Sequence, residues 1–362
     1  MPQHFHSPGW TRREALGMGV AAAALPEFAS AATTAFPKGA IVRTILKDYA
    51  PEDLAGAATL FHEHLSLADD FMTRWYDYSR PGGITRPPGA ASAEPFFMQD
   101  LVLMTSEMTI AKSEGIGCIV DGGHPGMGRD IKFLRQLSIK SGMPIVAGGG
   151  FYAQPFYPKE ISTMSEEQIV QALIKQTEVD PIGVFGEIGS WGDITADERK
   201  VFRAVGKASA ATNLGIFTHT GIPGKSAMEQ LDLLEDAGAK PNRIVIGHLG
   251  NLVDNNVAVH KAICKRGAFI GFDRQGGSGD ATVVPMVMAL IEAGFAGNLM
   301  LSADIATANQ VKKNGGQGYA KTLTVFVPKI KAAGANDDVL RGIMVDNPLR
   351  FLAFVPKKPR KT

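Results

Sequence analysis

Cysteine is nearly absent from this chain: two residues in 362, Cys118 and Cys264. Neither stands in a CxxC pair, which excludes thiolate zinc sites, and their apolar flanks make both read as buried thiols. Charge of one sign is missing too. Lys and Arg number 37 against 36 Asp and Glu, and the dense basic stretch is the tail Lys357-Lys358-Pro359-Arg360-Lys361, read as a solvated terminus. Such a balance offers no electrostatic footprint for nucleic acid. The apolar run Ala15 to Leu25 falls short of the ~20 residues that a stable membrane span requires. What is present is ordinary globular material, 45% hydrophobic and 20% charged, in a length that one large α/β domain absorbs.

Residues 1–31 read as a transport signal outside the fold. Arg12 and Arg13 precede the apolar run, and Ala29-Ser30-Ala31 offers small residues for a peptidase. Paired arginines at this point are similar to a twin-arginine signal, whose substrates cross the membrane folded, so the chain is expected to be exported to the periplasm. A general secretory signal or an uncleaved anchor is the alternative. Residues 32–57 form a lead-in segment, 58–355 the domain, and 356–362 the basic tail.

Within the domain, short apolar runs alternate with helical patterns. Strands are predicted at Thr59–Phe61, Cys118–Val120, Pro144–Ala147, Val184–Glu187, Ile216–Thr218, Ile244–Ile246, Phe269–Phe272 and Leu299–Leu301. Helices are predicted at Ser165–Glu178, Ala196–Asn213, Lys225–Ala237 and Asp254–Lys265. Continuously apolar strands imply burial on both faces, the mark of a parallel sheet covered by helices. Eight such units predict a (β/α)8 barrel, with a doubly wound sheet as the alternative. Ser79–Pro95, rich in Pro and Gly, breaks the rhythm as a loop over the catalytic face or a surface excursion.

The chemistry gathers at predicted strand ends. His62 and His64 flank Glu63 on the first strand, and residues two apart in an extended chain point the same way. Glu187 ends the fourth strand, His219 the fifth, His248 the sixth and Asp304 the eighth. In a barrel all of these meet at the carboxyl face. A lone histidine in a strand is more often a hydrogen-bonded core residue than a ligand; it is the coincidence of six such residues that points to metal. Four imidazoles and two carboxylates exceed the needs of one tetrahedral ion, so two divalent ions are expected. One would take His62, His64 and Asp304, the other His219 and His248, with Glu187 bridging. Zinc suits this set, and cobalt, manganese or iron could use the same ligands. Glu63 is read as structural or as a support behind the ligands, His124 as a surface or turn residue, and His260 as a helix-face residue.

Taken in order, these segments resemble the phosphotriesterase family of the amidohydrolase superfamily. The similarity runs from Thr59 to Phe354 through Thr59-Leu60-Phe61-His62-Glu63-His64, Gly186-Glu187-Ile188-Gly189, Thr218-His219-Thr220, Gly247-His248-Leu249-Gly250 and Leu301-Ser302-Ala303-Asp304. Glutamate at 187, where the best-known members carry a carbamylated lysine, resembles the phosphotriesterase homology branch. The resemblance implies hydrolysis of an ester-type bond, in a carboxylic ester, lactone or organophosphate, by a hydroxide shared between the two metals. It implies that Asp304 relays the proton, that Tyr152 lines the substrate pocket, and that two copies associate. Arg274, just past the seventh strand, is read either as orienting a polar substrate group or as a surface ion pair. Rival readings are an exported metal-binding barrel without turnover and a phosphate-binding barrel isomerase.

Overall fold

The computed structural model describes residues 35–79 and 96–358. The predicted signal, residues 80–95 of the predicted loop and the last four residues of the tail lie outside this range. A short hairpin opens the fold, β1 (Val42–Arg43) pairing antiparallel with β2 (Asp48–Tyr49). Eight strands follow: β3 (Ala58–Glu63), β4 (Ile116–Asp121), β5 (Ile145–Gly149), β6 (Ile182–Ser190), β7 (Gly215–Thr220), β8 (Ile244–Ile246), β9 (Phe269–Phe272) and β10 (Leu299–Leu301). Each pairs in parallel with the next. The cylinder is nearly closed. Across the gap between first and last strands, His62 N–H donates to Ser302 Oγ at 3.1 Å and Asp304 N–H to the His62 carbonyl at 3.3 Å. All eight predicted strands are found, with the last three at their predicted bounds.

Helix α1 (Phe71–Ser79) follows the first barrel strand, and α2 (Leu101–Ser113), α3 (Ile131–Ser141), α4 (Glu166–Val179), α5 (Ala196–Thr212), α6 (Ala227–Asp236), α7 (Ala258–Lys265) and α8 (Asp280–Glu292) cover the outside of the sheet. Local chemistry sets their ends. Ser165 and Thr195 start α4 and α5 with reciprocal capping boxes, and Asn213 stops α5 in the left-handed conformation at φ 66°. The inward stripe of α4, Ile169, Val170 and Leu173, is buried against the sheet. Among the described residues no helix is long and apolar enough to cross a membrane.

One departure from the predicted fold matters for the site. The stretch before the predicted loop carries α1, which the sequence pattern did not reveal, and Ser79 is its last residue. The lead-in segment packs onto the barrel: Ile45 N–H donates to the Ile145 carbonyl at 2.7 Å and Ile41 bridges Phe354. Both cysteines are buried and unpaired, as expected.

Candidate metal centre

The site rests on aromatic packing inside the barrel. Phe61 and Phe217 meet edge to face at 6.3 Å, and the Phe217 ring lies 4.9 Å from that of His62. Gly186 makes this possible, because a Cβ there would come within 2.3 Å of the Phe217 ring. The ladders are irregular where the ligands turn inward: the register shifts between Leu60 and Glu63 on β3, and between Phe185 and Ile188 on β6. Such breaks re-aim side chains. His248 (φ 60°) and Asp304 (φ 49°) hold left-handed backbone, uncommon for non-glycine residues and concentrated where structure serves a site.

All six predicted ligands converge, and all are nearly inaccessible except Asp304, whose side chain is 10% exposed. Glu187 is the hub. Its Oε1 lies 2.7 Å from His219 Nδ1, 2.9 Å from His248 Nε2 and 3.4 Å from His62 Nε2, and its Oε2 is 3.7 Å from His64 Nε2. Asp304 Oδ1 lies 3.2 Å from His64 Nε2 and 3.6 Å from His62 Nε2. Two donor sets share Glu187, His62 with His64 and His219 with His248, and either could hold a cation. The donor chemistry fits one: imidazoles around carboxylates, and buried His62 Nε2 and His219 Nε2 without any hydrogen-bond partner.

The electrostatics follow from crowding. Burial opposes charge on Glu187, but His62 and His219 outweigh it and hold its carboxyl well below the usual range. Burial also opposes charge on His62, and there Glu187 and Asp304 prevail, raising it well above its ordinary value. For His219 burial wins and pushes the imidazole down to about 4, so it is neutral at pH 7.

Asp273, which the sequence reading passed over, ties the two halves together. Its Oδ2 accepts from His62 Nδ1 at 2.9 Å and its Oδ1 from His248 Nδ1 at 2.6 Å. With Nδ1 held by Asp273, both rings turn Nε2 towards Glu187. A third ligand-like group, His62 with His248 and Asp273, therefore reads as orientation. Glu63 is structural, as expected: it accepts from Ser302 Oγ, Ala303 N–H and Ile305 N–H at 2.7–3.0 Å, fixing the turn that carries Asp304.

His124 corrects the sequence reading. It is not a surface residue: it is 1% exposed, and its Nε2 lies 3.1 Å from the Glu187 carbonyl. The loop after β4 folds inward over the barrel, and burial pushes this imidazole down to about 3. His260 does lie on a helix, α7, but on its buried face, bonded to the Leu249 carbonyl.

A cavity of about 280 Å³ opens beside the cluster. Phe71, Met72, Trp75 and Tyr76 of α1 form one wall with Tyr152; Arg274, Thr307, Gln310 and Lys321 lie among the remaining lining residues. Tyr152 and Arg274, the two residues considered for substrate contact, both line it. The Tyr152 hydroxyl accepts from Trp75 Nε1 at 3.1 Å and sits 3.0 Å from His219 Nδ1. Arg274 donates from Nε to Asp304 Oδ2 at 3.0 Å, so its ion pair is with the site itself and not on the surface.

A nearly closed parallel barrel with histidines and acids at its carboxyl rim is the arrangement of a metal-dependent hydrolase. The profile of the phosphotriesterase family matches residues 42–352, and the chain belongs to that family. Among its relatives, the N-acetyltaurine hydrolases of Xenopus tropicalis and Homo sapiens are 27% and 28% identical, each match covering 86% of this chain and 98% of the relative. The phosphotriesterase homology protein of Escherichia coli is 31% identical over 264 residues, 70% of this chain and 89% of its own. The crystal structure of that protein with phosphate in its active site superposes with a TM-score of 0.73 at 27% identity, covering 84% of this chain and all of the other. A resiniferatoxin-binding protein from Rhodobacter sphaeroides gives 0.74 at 28% identity, covering 87% and 95%.

Proposed function

We propose that this chain is a binuclear metal hydrolase that cleaves a small carboxylic ester, lactone or amide, with phosphotriester cleavage as a secondary activity. One observation carries the reading: four imidazoles from three strand ends face a single carboxylate, Glu187, whose Oε1 faces one histidine pair most closely and whose Oε2 faces His64. His62, His64 and Asp304 would hold one ion and His219 and His248 the other, zinc being the first choice for such ligands. Bound there, such ions would supply Lewis acidity and would make water ionise near neutral pH.

The chain's own groups do the rest. Burial opposes charge on Asp304, but His62, His64 and Arg274 together hold its carboxyl well below the usual range, so it meets the substrate ionised. Arg274 holds Oδ2 while Oδ1 faces His62 and His64, which places the carboxylate beside the site to take the proton released as the acyl carbon is attacked. Tyr152, fixed by Trp75, keeps His219 oriented, and the α1 aromatics shield the acyl side from water. The amide is included because the name of the N-acetyltaurine hydrolases specifies an N-acyl bond; the sequence reading covered esters, lactones and organophosphates. A site that in the Escherichia coli relative holds phosphate also suits a tetrahedral oxyanion. The proposal extends to export, read from the amino-terminal sequence, and to two-fold association, which rests on the family resemblance.

The test is a panel of aryl esters, lactones, N-acyl amines and aryl phosphotriesters, run on metal-reconstituted protein beside Asp304→Asn. Turnover on a carbonyl substrate is expected, with kcat about 10²–10⁴-fold lower in the variant. A variant as active as the parent contradicts the proton role, and no turnover on any carbonyl substrate contradicts the proposed activity.

A further inference from the structure

Lys321 lines the same cavity and is only 9% exposed, yet the described residues offer its ammonium no hydrogen bond or ion pair. Buried lysines ordinarily have a partner, since an isolated charge in a low-dielectric setting is costly. Three carboxylates act on it through space, Glu63, Asp304 and Asp280, and each is committed elsewhere. Glu63 accepts from Ser302, Ala303 and Ile305. Asp304 accepts from Arg274. Asp280 accepts from Gly276 N–H at 3.0 Å and Lys329 Nζ at 2.5 Å. The stem of Lys321 is held in place: a Cβ on Gly276 would lie 3.1 Å from its Cδ and 3.2 Å from its Cγ. Nearby on the cavity wall, Gln310 uses Oε1 for Ala306 N–H, Thr307 N–H and Thr307 Oγ1, while no described residue accepts from its amide nitrogen. The cavity is thus aromatic on one side and rich in uncommitted donors on the other, at the small end of ligand-pocket volumes.

We propose that Lys321 is a specificity residue that pairs with an anionic group of the substrate, a sulfonate or carboxylate, with Gln310 as its neutral companion donor. The inference rests on the hydrolase reading for the position of the scissile bond, but the anion site itself does not. It makes the natural substrate a short acyl compound bearing one negative charge, and it predicts discrimination against neutral analogues, whose binding leaves the ammonium unpaired.

Two measurements on metal-loaded protein test it, in the parent, Lys321→Met, Lys321→Gln and Lys321→Arg. The first is calorimetric titration with ethanesulfonate and with propionate. The second is kinetics on two acyl substrates of equal length, one ending in sulfonate or carboxylate, the other in a neutral methyl sulfone or methyl ester. Lys321→Met is expected to weaken anion binding roughly 10–100-fold, and to lower kcat/KM on the anionic substrate by a similar factor, mainly through KM. The neutral substrate should stay within about twofold, and Lys321→Arg should recover part of the loss. The relative response to sulfonate and carboxylate identifies the natural head group. If the parent binds neither anion, or Met and Gln bind them as well as the parent does, the proposal is overturned. Equal loss on both substrates likewise overturns it, since that marks a structural role. If anions bind through Lys321 but no acyl substrate turns over, the anion site stands and the hydrolase reading falls.

Discussion

At the scale of single residues, the account turns on which nitrogen each histidine presents. Asp273 decides this for His62 and His248 at once, because its two oxygens take the two Nδ1 protons. Asp273→Asn is therefore expected to lower affinity about 10–100-fold at both metal positions, read by titrating a chelator against the loaded protein. A loss confined to one position would contradict the shared orientation. His124 supports a prediction in pH. Its folded value of about 3 lies below the ordinary 6.5, so its neutral form contributes stability that is complete above pH 6.5 and is lost as pH falls towards 3. Urea unfolding of metal-free protein at pH 7.5 and pH 5 should show the parent losing more stability than His124→Gln over that interval. Equal losses would mean that the buried imidazole does not titrate as described. The ligands themselves were legible because strand periodicity and strand-end position restrict them, as with His62 and His64 two apart on β3. Asp273 occupies an equivalent position, directly after β9, but one acid beside Arg274 carries no pattern of its own. His124 was misread because Gly123-His124-Pro125-Gly126 has the chemistry of an exposed turn, and only the fold shows that this turn packs inward.

At the scale of elements, the strands position the chemistry and α1 shapes the cavity. Phe217 on β7 packs against Phe61 and the His62 ring and fills the volume above Gly186. Phe217→Ala should cost about 3–5 kcal/mol in unfolding free energy and loosen the His62 half of the metal site. Loss of stability with unchanged metal affinity would separate the packing from the site. The strands were readable because their apolar runs are buried on both faces, all nine residues in the case of β6. The helix α1 was not. Only Phe71 and Ser79 of its nine residues are buried, and its aromatics face a cavity instead of a core, so no inward stripe appears in the pattern. What joins it to the barrel are distant contacts, such as Trp75 donating to the Tyr152 hydroxyl and Tyr78 donating to Glu198 Oε1 on α5, each at 3.1 Å, and such pairings leave no local trace.

At the scale of the whole molecule, the hairpin β1–β2 and the carboxyl-terminal strand bridge at Phe354 lie beneath the barrel, opposite the site. Replacing Arg12 and Arg13 by lysine is expected to abolish export while leaving the cytoplasmic enzyme active; unchanged export would remove the twin-arginine reading. The central claim is a pair of ions on one glutamate. It is tested most directly by anomalous diffraction from metal-loaded crystals. The account predicts two divalent ions per chain, both in contact with the Glu187 carboxylate, one beside His62 and His64 and the other beside His219 and His248. A single ion, or two that do not share Glu187, would contradict it.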